Sequence, residues 1–352
     1  MVTEITNRAG LEAIASGLSG DYILMDDIDL GGSATPWTPI GIETAPFVGT
    51  LDGNGHIISN VYCHDSVASG YVGGYVIGLF ACTSTGATIS NLGLSGVDFV
   101  NVRTGNSYSW HGGLVALVRG NLNVSNCYVT GNINGGSMAY GQSVGGLIGN
   151  VDTGTCSVNS CWSNVTISGT STTRFTSGGG VVGYVVEAKN VVLTDCYTLG
   201  TISVVGTTLY SGITPKAGGI IGSSGESTTT ITDCVALQTA ISSSHDVNRI
   251  AAYAITSVTN VYAYDDTTLV GTVTGISGTD VSAANYATKT WWETYPGWSF
   301  DDSSAWYWDS VTSLPKLRVF SVPITKTLLH AKLLSWFNRH WVKLSIHEQV
   351  MR

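Results

Sequence analysis

Residues 145–151 read GGLIGNV, residues 179–185 read GGVVGYV and residues 218–224 read GGIIGSS. Two earlier phrases belong to the same series: GGLVALV from Gly112 and GLFACTS from Gly78. The starts are 34, 33, 34 and 39 residues apart. A second phrase follows each by about 14 residues: ISNLGLSGV around Leu92, VSNCYVTGNI around Cys127, VNSCWSNVTI around Cys161, LTDCYTLGTI around Cys196 and ITDCVALQTA around Cys234. A worn further copy, VTNVYAYDDT, surrounds Tyr262. Self-similarity at this period is the mark of a solenoid.

Within each phrase apolar and polar residues alternate, as in Val124, Asn126 and Tyr128 against Ser125, Cys127 and Val129. That is the period of a strand. Helical hairpin arrays share the 34-residue repeat but need Ala, Leu and Glu at helical spacing, which is missing. The expected fold is all-β: a right-handed parallel β-helix with one large coil per repeat. The Gly-Gly pairs suit coil corners, where positive φ or close backbone approach is needed. No helix follows them, which excludes a phosphate cradle.

The ends differ. Leu11, Ile14 and Leu18 after Asn7 predict a short amphipathic capping helix, with DYILMDDIDL as the first strand. Tryptophans 291, 292, 298, 306 and 308 cluster late and are expected to cover the last coil. The expected layout is a solenoid over 1–320, with caps over about 1–20 and 286–320 and repeats over about 78–265. In the last 32 residues Leu329, Leu333, Trp336, Phe337, Trp341 and Leu344 fall at helical spacing between Lys332, Arg339 and Lys343. This predicts a basic amphipathic helix in a 321–352 tail, acting as a cap, as an oligomerisation or anchoring element through residues 324–345, or as a membrane-surface helix.

The 352 residues carry a net charge of −9 with only 11% charged residues. The tail contributes five Lys/Arg against one Glu, so the body is the more acidic part. This disfavours nucleic acid as a partner. No run of 18 apolar residues marks a membrane span. Met1 is followed by polar residues rather than an apolar leader stretch. The seven cysteines lack zinc spacing, and Cys127, Cys161, Cys196 and Cys234 share one repeat position. They read as a stack of small buried hydrophobes rather than disulfides or ligands.

The run LSGDYILMDDIDL, WTPIG, PFVGTLDGNGHIISNV, IGLF and ISNLGL, followed by the GGLIG and NCYVTG repeats, resembles GLUG-repeat solenoids over roughly residues 1–320. Those occur in bacterial and archaeal surface proteins and beside the catalytic part of immunoglobulin-A-cleaving metallopeptidases. The resemblance implies an exposed β-solenoid, at the cell surface or outside the cell, used as a module of something larger.

Catalytic signatures are missing. HEQVM at His347 has Met351 where a zinc-binding HExxH needs its second His. No GxSxG elbow is present. The acidic clusters Asp26–Asp27–Asp29, Asp265–Asp266 and Asp301–Asp302 read as solvated edges or turns and form no convincing carboxylate pair for glycan cleavage. Asp195 and Asp233 share one repeat position with Asn126 and Ser160 and read as a polar ladder. No cofactor is expected; calcium could use the acidic clusters, although none matches an EF-hand loop. Aromatic rings stack on sugar faces, which makes Trp110, Tyr140 and Trp162, with His111 read as exposed beside Trp110, the candidate ligand-binding residues. The expected function is a non-catalytic adhesion module for a cell-surface glycan or protein. The alternative is a virion receptor-binding spike, with or without polysaccharide cleavage.

Overall fold

A computed structural model describes residues 1–64, 67–68, 74–186, 189–207, 214–225, 228–253 and 255–321. The tail over 324–345 lies outside these residues, as does any helix or assembly role assigned to it. Backbone proximity divides the chain into Met1–Val319 and Phe320–Arg352.

Met1–Val319 is a parallel β-solenoid of about six turns. One turn shows the plan. Leu122–Ser125 lies on the first face, Tyr128–Met138 and then Gln142–Gly145 on the second, and Ile148–Thr153 on the third. Thr155–Asn159 then begins the next turn beside Leu122–Ser125, with Leu122 opposite Cys156 and Val124 opposite Val158. The first face stacks nine such parallel strands and the third face five, among the described residues.

Alternation selects the inward side chains. Leu122 and Val124 are buried while Asn123 is exposed. The chain then turns through one left-handed residue per coil: Asn91, Asn126, Ser160, Asp195, Asp233 and Asn260 all have φ between 50° and 53°. Asn and Asp tolerate this region better than other side-chain-bearing residues, which is why the polar ladder read from the repeats is there. Its rungs are tied: Asn126 Nδ2 donates to Asn91 Oδ1 at 3.0 Å, and Asn260 Nδ2 donates to Asp233 Oδ1 at 2.8 Å. The next residue of each coil points inward. Leu92, Cys127, Cys161, Cys196, Cys234 and Val261 form one buried column, and no disulfide joins any of the seven cysteines. Burial pushes the Cys156 thiol up to about 12 and raises Cys161 and Cys234 well above the usual range, so these thiols act as packing groups.

The Gly-Gly pairs work by close approach, not by positive φ. A Cβ on Gly112, Gly145, Gly179 or Gly218 would lie within 2.2 Å of the carbonyl oxygen three residues ahead in its own coil, and none of these has positive φ.

Two end features depart from the sequence reading. The first strand is Val2–Ile5, which pairs in parallel with Asp21–Leu24; polar Thr3 and Glu4 hide it because their side chains face solvent. The helix follows it at Arg8–Ala13, N-capped by Asn7 Oδ1 accepting from Gly10 N at 3.0 Å. The late tryptophans do not simply close the last coil. On the second face, Gly93, Tyr128, Trp162, Tyr197, Val235 and Tyr262 stand in register as one outward column. The segment from Ala283 runs back along this column as a strap. Trp291 meets Tyr262 edge-on at 5.2 Å, Trp298 Nε1 donates to Asp233 O at 3.0 Å, and Trp292, Trp298 and Trp306 surround Tyr197. A ring column offers more apolar area than the end of one coil, so the tryptophans bury there.

The aromatic cleft at the bend between the second and third faces

After each Gly-Gly corner the third-face strand folds back tightly against the short second-face strand. Small residues permit this. A Cβ on Gly149 would lie 2.7 Å from His111 O, and one on Gly183 would lie 2.8 Å from Val144 N. Outside the main core, Val76, Ala81, Cys82, Ala116 and Leu117 form a separate apolar cluster against Trp110. In the resulting angle lies a cavity of about 400 Å³ lined by Tyr108, Trp110, Asn150, Asp152, Phe175, Tyr184 and Val186.

Register sets its geometry. Trp110 stands opposite Ser143 and Ser143 opposite Ser177; Leu117 stands opposite Asn150 and Asn150 opposite Tyr184. The cleft therefore spans three rungs. At one end Tyr108 and Trp110 are parallel plates, centroids 6.2 Å apart at 10°. At the other Phe175 and Tyr184 lie 5.2 Å apart at 38°. The coils that carry the two pairs lie two rung spacings apart along the solenoid, about 10 Å between backbones. The middle rung is small and polar. Gly141 leaves room for the Phe175 ring, which would sit 2.6 Å from a Cβ there. Ser143 and Asn150 are 1% and 2% exposed, and neither Ser143 Oγ nor Asn150 Oδ1 has a hydrogen-bond partner. Buried polar atoms are normally paired; of these two residues Asn150 lines the cavity and Ser143 lies behind its lining.

Asp152 forms part of one wall. Arg119 Nη1 lies 2.7 Å from Asp152 Oδ2 and 2.5 Å from Glu43 Oε1. Burial raises the Glu43 carboxyl above its usual range, with Arg119 opposing the shift and Asp152 adding to it. At the mouth the Arg174 guanidinium packs between the rings of Tyr140 and Tyr108, 4.5 and 5.4 Å from their centroids, and donates to the Tyr108 hydroxyl.

The sequence candidates divide. Trp110 is in the cleft, and Tyr140 stands at its mouth, 5.7 Å from Tyr108. His111 points the other way. It is fully buried in the column of Ile77 and Val144, neither ring nitrogen has a partner, and burial holds its pKa down to about 3. The reading of His111 as exposed fails because adjacent strand residues face opposite sides, so an outward Trp110 sends His111 inward. Trp162 belongs to the strap column and is 7% exposed, stacked between Tyr128 at 4.8 Å and Tyr197 at 5.6 Å with Lys316 Nζ over its ring. It offers little surface to a ligand. Tyr108, Asn150, Asp152, Phe175 and Tyr184 were missed; aligning the repeats into columns would have placed 117, 150 and 184 together beside 110, 143 and 177. Among the described residues no group of three or more His, Cys, Asp or Glu is arranged to hold a metal ion, the calcium-candidate clusters included.

The fold defines the chain as a parallel β-solenoid. Its backbone is similar to that of a "putative immunoglobulin A1 protease" from Bacteroides ovatus, with a TM-score of 0.67 and 20% identity over 90% of this chain and 92% of that one. It is also similar to part of a protein named IgA1 protease, with a TM-score of 0.52 and 18% identity over 79% of this chain. The match spans about a fifth of that second protein, 21% of its length. No known family profile matches the sequence. No curated protein matches it either.

Proposed function

We propose that the chain is a non-catalytic, surface-exposed β-solenoid of the GLUG-repeat kind that binds glycans, with the cleft around Trp110 as its binding site. The observation that carries the reading is a cavity lined by four aromatic rings, Tyr108, Trp110, Phe175 and Tyr184, together with the Asn150 amide and the Asp152 carboxylate. Pyranose rings present apolar C–H faces and polar edges. Rings that line a cavity can meet the C–H face of a sugar while its hydroxyls turn to the Asn150 and Asp152 side chains. Binding sites commonly combine a mostly apolar lining with a few directed polar groups. An adhesive module at the cell surface or outside the cell fits the repeat phrases. Protein cleavage is not part of this reading, since the second His of HExxH is absent from the sequence.

The test is a glycan array probed with the full chain and with Trp110→Ala and Tyr184→Ala. The reading expects one family of oligosaccharides to bind the wild type and to be lost in both variants. Binding that survives both substitutions, or no binding to any glycan, would refute it.

A further inference from the structure

The following rests on the glycan reading of the cleft and gives it a ligand class. Glu43, Arg119 and Asp152 form a relay that ends in the cavity. The Glu43 side chain is only 8% exposed, one of its oxygens is held by Arg119, and its Oε2 is buried without a hydrogen-bond partner. The same Arg119 nitrogen that meets Glu43 at 2.5 Å meets Asp152 Oδ2 at 2.7 Å. Shared by two carboxylates, the guanidinium fixes the side chain of Asp152 where it lines the cavity. Asp152 and Asn150 both line the cavity, although Asp152 is the extra residue of a β-bulge, with Val118 opposite Val151 and Arg119 opposite Thr153. The lining thus sets a carboxylate held by Arg119 beside an amide and the aromatic rings.

We infer that Asp152 is the specificity-determining group of the cleft, and that it selects neutral, hydroxyl-rich pyranosides over acidic sugars such as uronates and sialosides. A carboxylate accepts from hydroxyl donors with charge-assisted strength. A ligand carboxylate brought to the same place meets like charge in a partly desolvated site, the repulsive element that separates similar ligands. Two cations lie nearby, and both are engaged: Arg119 is shared by Glu43 and Asp152, and the Arg174 guanidinium packs on Tyr108 and Tyr140 and donates to the Tyr108 hydroxyl. Glu43 acts through Arg119 and is a positioning residue.

The experiment is calorimetric titration of the full chain with a matched pair: the best-binding neutral oligosaccharide of the array, and the same chain oxidised at C6 to the uronate. The wild type is expected to prefer the neutral member at least tenfold. Asp152→Asn, with an unchanged circular dichroism spectrum and melting temperature, is expected to weaken the neutral ligand about tenfold and bring the two affinities within about threefold. Equal or tighter binding of the uronate by the wild type overturns the inference, as does an unchanged ratio in Asp152→Asn; in either case the cleft remains the glycan site if Trp110→Ala abolishes binding. Failure of every sugar to bind the wild type overturns the glycan reading and this inference with it.

Discussion

The Tyr197 hydroxyl donates to the Pro315 carbonyl at 2.8 Å, joining residues 118 positions apart. Tyr197 is the most buried ring of the outward column, with Trp292, Trp298 and Trp306 around it. The strap is thereby stapled to the middle of the solenoid. Tyr197→Phe keeps the packing and strands one carbonyl, which should cost about 1–2 kcal/mol. Tyr197→Ala should cost about 3–5 kcal/mol, because the rings cannot collapse onto the gap. Urea midpoints measure both, and equal midpoints would show that the strap adds little to the stability of the solenoid.

Gly149 permits the fold-back that forms the cleft. An added Cβ would lie 2.5 Å from Ala116 O and 2.7 Å from His111 O, both backbone atoms that cannot swing aside. Gly149→Ala should therefore destabilise by about 2 kcal/mol or more, as overpacking does. Gly105→Ala is the control, since nothing lies near its Cβ and its cost is backbone strain from a φ of +140° alone. A Gly149→Ala protein that melts with the wild type would contradict the tight angle.

His111 should make the protein acid-sensitive. Its ring is held neutral down to about pH 3 when folded, against about 6.5 when exposed. Between these values the unfolded chain binds the extra proton, so stability falls as pH drops from 6.5 towards 3. His111→Leu removes that loss and also removes two unpartnered nitrogens, worth about 1–3 kcal/mol at neutral pH. The expected result is a variant more stable at pH 7 and further ahead at pH 4.5, measured as urea midpoints at both. A constant difference would mean that the ring is solvated.

Asp195 should act with the opposite sign. Burial, then the neighbouring Cys196 and Asp233, raise its carboxyl from 3.8 to about 6. The folded chain holds the proton where the unfolded chain has lost it. Stability therefore declines as pH rises from 4 to 6 and stays lower above that. Asn fits the left-handed φ of 52°, as Asn126 does at 51° on the same ladder. Asp195→Asn should gain about 1 kcal/mol at pH 7, after discounting for the part of the group in solvent, and nothing at pH 4. A gain that is equal at both pH values would contradict the shift.

The solenoid was legible because its repeats write the same strand and turn into each coil, down to the Asn or Asp at the left-handed turn and the Cys behind it. The cleft was only half legible. Trp110 and Tyr140 stand out as aromatics in a polar run. Asn150 and Asp152 look like ordinary loop residues until the register sets them beside Trp110. His111 was misread for want of one step, the opposite facing of neighbours in a strand. The strap defeated the sequence reading because nothing local says that Trp292 lies against Tyr197, nearly a hundred residues earlier.

The most direct measurement is a crystal structure of the full chain with the best-binding oligosaccharide of the array. The expected result is a sugar in the cleft in contact with the Trp110 and Tyr184 rings, with a hydroxyl within hydrogen-bond distance of an Asp152 oxygen. A sugar bound elsewhere on the solenoid, with the cleft holding only water, would contradict it.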